Sequence, residues 1–198
     1  MINQIKKNIA RRAVERGIKH LVHFTQAENL PSIQTFGLRS RQELERFKVS
    51  FQFNDAQRID GFLNAVSLSV TSPNYKMFYS LRQSKSVQWA VIFLDAYKVL
   101  RNFDCAFHAT NAANNSMRFR PIEERKTLDA FESMFYDNEV RKARGLENNE
   151  PTDSQAEILC FDPIPPEFFK DIAFSGAMFS YRHDWSYWKK PVNEWEMW

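Results

Sequence analysis

The sequence predicts an α+β fold. Three observations carry that prediction. Strand-like and helix-like stretches follow one another with no regular βαβ alternation. A consecutive apolar run of strand length stands mid-chain, at 89–94. The composition, with 18 Phe against 5 Gly and 43% hydrophobic residues, is that of a filled core rather than a flexible scaffold. At 198 residues the chain can bury such a core in one domain. Residues 1–198 are therefore read as one unit, with a basic N-terminal segment at 1–17 and an aromatic C-terminal segment at 176–198.

Residues 3–17 carry Ile5, Ile9, Ala13 and Val14 as apolar positions at helical spacing among basic residues, predicting a basic amphipathic helix. A strand is expected over 20–24 through the apolar pair Leu21 and Val22. Thr25 with Glu28 three residues on has the form of a capping box. It would open a helix over 27–36 whose Leu30, Ile33 and Phe36 share a face, with Gly37 as the stop. Residues 39–60 are polar and interrupted, a partly helical surface segment. The stretch 65–70, AVSLSV, alternates as a strand with one face on a core does. Pro73 and Asn74 start a short helix through Tyr75, Phe78 and Leu81. The clearest central strand is 88–94, where Val91 to Leu94 are all apolar. A polar loop follows at 111–117, and then one long helical pattern over 123–143. The segment 144–154, RGLENNEPTDS, has loop composition. A strand over 156–161 is stopped by Pro163, Pro165 and Pro166, and a last strand covers 171–174.

The formal net charge of +3 is unevenly placed. Residues 1–20 and 75–120 each carry a net +5, while 121–157 carry a net −5. Two basic blocks suit an electropositive face that holds a polyanion, and they equally suit ordinary solvated helix faces. No apolar stretch approaches a membrane span, and the basic start lacks a hydrophobic signal region. Cys105 and Cys160 show neither metal spacing nor a disulfide framework, and Cys160 has no nearby histidine to make it a nucleophile. His20, His108 and His183 have no partners at metal-ligand spacing. The expectation is a reduced, cytoplasmic setting and no metal.

Three features could meet in space: His23-Phe24-Thr25 at the seam between strand and helix, the stretch 57–61 with Arg58, and Gln155-Ala156-Glu157. A carboxylate at the first turn of an apolar strand, such as Glu157, can hold a ribose hydroxyl and stabilise positive charge developing at an anomeric carbon. It can equally be a solvent-facing residue. An arginine suits a pyrophosphate because its planar fork of donors pairs with phosphate oxygens.

The pattern HFTQAENLPSIQTFGL, an arginine about twenty residues on, and the late Gln-Ala-Glu-Ile-Leu resemble the DarT family of single-stranded-DNA ADP-ribosyltransferase toxins, over about residues 18–175. The resemblance implies an ADP-ribosyltransferase fold, a split mixed sheet with NAD as co-substrate in the cleft, and no metal. It further implies that Glu157 and Arg58 are catalytic and that His23, Phe24, Thr25, Ser32, Ser40 and Arg58 line the NAD site. Gln155 would meet the target. Read from the residues themselves, Tyr75 beside Lys76 either starts a helix or stacks on a base, and Lys76 and Arg82 of the second basic block are candidates to hold the DNA strand. A macrodomain-type antitoxin that reverses the modification is the implied partner.

The sequence lacks the VPFYF-type stretch of thymine-modifying members; the segment 65–78, AVSLSVTSPNYKMF, resembles the guanine-modifying branch instead. Alternatives at this point are transfer to thymine, RNA or protein, or a catalytically silent nucleic-acid-binding module. The tail from Tyr181 to Trp198 holds four of the five tryptophans. Packing on the domain, stacking on bases and docking of the antitoxin are all consistent with it.

Overall fold

The computed structural model describes residues 2–53, 61–84, 87–115 and 120–174. Arg58, Lys85, His183 and the tryptophan-rich tail lie outside the described residues.

The first helix, α1 (Ile2–Glu15), turns Ile9, Ala10 and Ala13 into the core. Val14, expected inward, is 57% exposed, whereas Ala10, to which the pattern assigns no inward role, is buried. Strand β1 (His20–Gln26) runs two residues further than predicted and takes in Thr25. A single 3-10 turn (Ala27–Asn29) then leads into α2 (Leu30–Phe36). Thr25 is thus no N-cap. Gly37 does end α2, its N–H donating to Ile33 and its φ at +79°. The capping box is one element later, at α3 (Arg41–Arg46). There the Ser40 hydroxyl accepts from the Glu43 N–H while the Glu43 carboxylate accepts from the Ser40 N–H.

Strand β2 (Val66–Val70) precedes α4 (Tyr75–Ser84), whose start is capped by the buried Asn74 accepting from the Met77 N–H at 3.1 Å. Strand β3 (Trp89–Asp95) is buried along all but its last residue. The stretch between 95 and 110, to which the pattern assigns no element, holds α5 (Ala96–Asn102), capped by Asp95, and the four-residue β4 (Cys105–His108).

The single helix expected over 123–143 is broken into a 3-10 turn (Ile122–Arg125), α6 (Leu128–Ser133) and α7 (Asn138–Ala143). The two α-helical pieces each restart at a cap of their own. Thr127 accepts from Ala130, and Asp137, in the left-handed region at φ 72°, accepts from Val140. Strands β5 (Glu157–Cys160) and β6 (Phe169–Phe174) complete the described chain.

The six strands form one sheet in the order β4-β5-β2-β1-β3-β6. Every described pairing is antiparallel, so the expected mixed sheet is corrected to an antiparallel one. The main core lies on one face, where α1, α5 and α6 cover Leu21, Leu68, Ile92, Leu94 and Ile158. The opposite face carries a smaller aromatic cluster, in which Phe78 of α4 packs against Phe24 and Trp89. Cys105 and Cys160 face each other across β4 and β5, both buried and both free. The contact with Cys160, together with burial, pushes the Cys105 thiol well above its ordinary range.

Candidate functional site

β1 pairs with β3 along its whole length, from His20 to Gln26. It pairs with β2 over only two residues, Leu21 opposite Val70 and Val22 opposite Ser69. Beyond that point the two strands part, and the gap is the split in the sheet. His23 stands at its apex. Its Nδ1 lies 2.9 Å from the Ser67 carbonyl, so a side chain replaces the missing ladder bond. Because a carbonyl can only accept, Nδ1 carries a proton in that contact.

The split opens into a cleft of about 220 Å³. His23, Phe24, Thr25 and Ser32 line one wall, Ser67 and Ser69 the floor, and Gln155, Ala156 and Glu157 the other wall. Residues more than 130 positions apart in the chain thus share one concavity. Ile33, Arg39, Arg41, Phe51 and Phe53 extend it towards α2 and α3. Phe53 is 45% exposed and has the Arg41 guanidinium 4.6 Å from its ring centroid.

Glu157 opens β5 and is half-buried. Its Oε2 accepts from the Ala112 N–H at 3.1 Å. That backbone contact holds the carboxylate at the cleft wall; neither the Ala112 amide nor the neighbouring Asn111 carried any signal in the sequence. His108 is the register partner of Glu157 on β4, so both side chains leave the same face of adjacent strands. His108 is fully buried, its Nε2 2.7 Å from Nη1 of the buried Arg125. Burial, followed by the charge of Arg125, lowers the imidazole to about 4. The ring is therefore neutral at pH 7 and accepts from the guanidinium. Arg125 also donates to the Arg120 carbonyl and lies over the Phe62 ring. The histidine read as structural or exposed is structural, and it braces the strand pair that carries Glu157.

The remaining sequence candidates sit as follows. Ser40 is buried as the α3 N-cap and is not among the residues that line the cleft. Tyr75 and Lys76 open α4, beside the cleft-lining Asn74 and Met77. Arg82 is two turns further along that helix, exposed, with its guanidinium over Phe78. Two basic residues of the first block are engaged within the chain, Arg16 partly buried and Arg12 exposed. Arg12 and Arg16 both pair with Glu132 of α6, and Arg16 stacks 4.1 Å from the Phe135 ring centroid. Among the described residues, no group of three or more His, Cys, Asp or Glu could hold a metal, and no helix is long and apolar enough to cross a membrane.

The family model described as "ssDNA thymidine ADP-ribosyltransferase, DarT" matches residues 22–178, most of the chain. The chain belongs to the DarT family. No curated protein matches the sequence. Among solved structures, DarTG of Thermosipho africanus in complex with ADP-ribose is similar at a TM-score of 0.49 and 14% identity. That match covers 78% of this chain and 43% of the other, so the DarT-like chain spans less than half the length of that structure.

Proposed function

We propose that this DarT-family chain transfers ADP-ribose from NAD to guanine in single-stranded DNA, releasing nicotinamide, as the toxin of a toxin–antitoxin pair. A macrodomain-type antitoxin that removes the modification is its partner. The observation that carries the reading is the convergence of His23, Thr25, Ser32, Gln155 and Glu157 on one cleft in a member of this family.

NAD as co-substrate supplies the ADP-ribosyl group. The chain's own residues bind and orient it and offset charge. The donors and acceptors of the cleft suit a polar dinucleotide: Nε2 of His23 towards a ribose hydroxyl, with Thr25, Ser32 and the backbone around Phe24 beside it. Arg58 is assigned to the pyrophosphate, where its fork can pair two oxygens. Glu157 stabilises positive charge as the glycosidic bond to nicotinamide breaks. Its contact with the Ala112 amide fixes the carboxylate at the cleft wall, where the substrate would sit. Ser40, whose hydroxyl is engaged with Glu43, shapes α3 rather than touching the nucleotide. Gln155 faces the incoming base, Tyr75 offers a ring to stack on, and Lys76 and Arg82 hold phosphates. Guanine rather than the thymidine of the family description is supported by the 65–78 stretch, which lacks the VPFYF-type pattern.

Labelled NAD with single-stranded oligonucleotides that contain either guanine or thymine as the only modifiable base tests this, alongside RNA and protein acceptors. Label is expected on the guanine oligonucleotide and little on its duplex, since a paired base must first leave the stack. Glu157→Gln keeps an acceptor for Ala112 but removes the charge, and should lower turnover by ~100-fold or more. Near-normal turnover by that variant overturns the role of Glu157. Label on thymine alone overturns the base assignment, and label only on RNA or protein overturns the substrate.

A further inference from the structure

We infer that Asn29 is a positioning residue for the NAD site: its amide clamps the 51–53 segment onto the end of β1. This rests on the reading that the cleft takes NAD. Asn29 is the N-cap of α2, a position where asparagine ordinarily spends its side chain on its own helix. Here it makes no cap bond. It is buried, and the whole amide is turned across the chain. Nδ2 donates to the Thr25 hydroxyl at 2.8 Å and to the Gln52 carbonyl at 2.7 Å. Oδ1 accepts from the Gln52 N–H at 2.8 Å.

The two bonds to Gln52 imitate one rung of a β-ladder. They supply partners for both backbone groups of a residue in a segment that belongs to no helix or strand. All the groups concerned line the cleft: Thr25, Asn29, Phe51, Gln52 and Phe53. Forgoing the cap to hold Gln52 therefore fixes the cleft wall relative to Thr25 and, through β1, to His23. The hydroxyl of Thr25 is oriented by the same amide, which leaves its own proton to point elsewhere. A wall held in its binding conformation raises apparent affinity by the fraction of molecules that already have it.

The test compares Asn29→Ala and Asn29→Asp with the parent in the full chain. The readouts are NAD and ADP-ribose dissociation constants by calorimetry, steady-state kinetics, and hydrogen exchange at the Gln52 amide. Asn29→Ala should weaken both ligands by ~10-fold or more, raise KM more than it lowers kcat, and expose the Gln52 amide to exchange. Asn29→Asp keeps the acceptor for Gln52 N–H but presents oxygen to the Gln52 carbonyl. It should retain part of the amide protection and still bind weakly, which keeps the comparison available if the alanine variant does not fold. Unchanged dissociation constants, or protection of Gln52 that survives Asn29→Ala, overturn the clamp. A parent protein that binds neither NAD nor ADP-ribose overturns the NAD reading instead, so the two failures are distinguishable.

Discussion

Acidification should expose the buried histidine behind Glu157. His108 is held near 4 in the folded protein by burial and by Arg125, whereas an unfolded histidine titrates near ~6.5. Between those values the unfolded chain binds the proton and the folded chain does not, so stability falls as pH falls through that window. The contribution is complete above ~6.5 and lost by about 4. At ~1.4 kcal/mol per tenfold in proton affinity, the full loss is about 3 kcal/mol, and about 2 kcal/mol of it has gone by pH ~5. That is a large share of a typical ~5–15 kcal/mol stability. Glutamine at 108 can still accept from Arg125 but cannot titrate. Urea unfolding at pH ~7.5 and ~5 should therefore show the parent losing about 2 kcal/mol more than His108→Gln, whatever their offset at neutral pH. Burial pushes the Glu132 carboxyl up, but its bonds to Arg16 and Arg12 outweigh this and hold it below its ordinary 4.5. Its contribution is present above 4.5 and fades only below that, outside the interval compared. Equal losses in parent and variant would refute the argument, and would mean that His108 titrates as an ordinary histidine.

Two further outcomes follow from packing. Gly37 has φ +79° and ψ −177°, a region essentially closed to other residues, and a Cβ there would stand 2.3 Å from the Ile164 carbonyl oxygen. Gly37→Ala should cost about 3 kcal/mol or more in urea unfolding through backbone strain and disruption of the Leu38–Ile164 bridge; a loss below ~1 kcal/mol would mean that the Ile164 backbone yields freely. Glu132→Gln removes the anion shared by Arg12 and Arg16 while leaving Arg16 stacked on Phe135. It should cost about 2 kcal/mol at neutral pH, less than a fully buried pair because Arg12 is solvated. The loss should shrink as pH falls below 4.5 and through the lowered value of the folded carboxyl, and a pH-independent loss would point to packing instead.

Much of the site was legible because its residues announce themselves locally. His23 and Thr25 sit at the end of an apolar strand, and Glu157 at the start of another. Periodicity and turn residues also located β2, β3, α2 and α4 to within a few positions, since the 2.0 and 3.6 residue repeats are properties of the chain itself. Capping was legible only as a type. Thr25-x-x-Glu28 and Ser40-x-x-Glu43 have the same local form, yet only the second is used. β3 pairs with β1 as far as Gln26, which keeps Thr25 in the strand and lets Asn29 take its hydroxyl.

Likewise, nothing in residues 123–143 separates one long helix from three short pieces until the chain must turn at Thr127 and Asp137 to cover β4. The choice of partners across the sheet lay beyond any local pattern. That β1 and β2 part after two residues, that the Ser67 carbonyl meets His23, and that His108 comes to lie opposite Glu157 are matters of register between segments more than 40 residues apart. The sequence by itself determined which stretches could be strands or helices and which polar residues stood at their ends. Tertiary structure decided which of those polar residues face the cleft, because a strand's hydrogen-bond partners are supplied by other strands and a side chain is buried only by what packs over it.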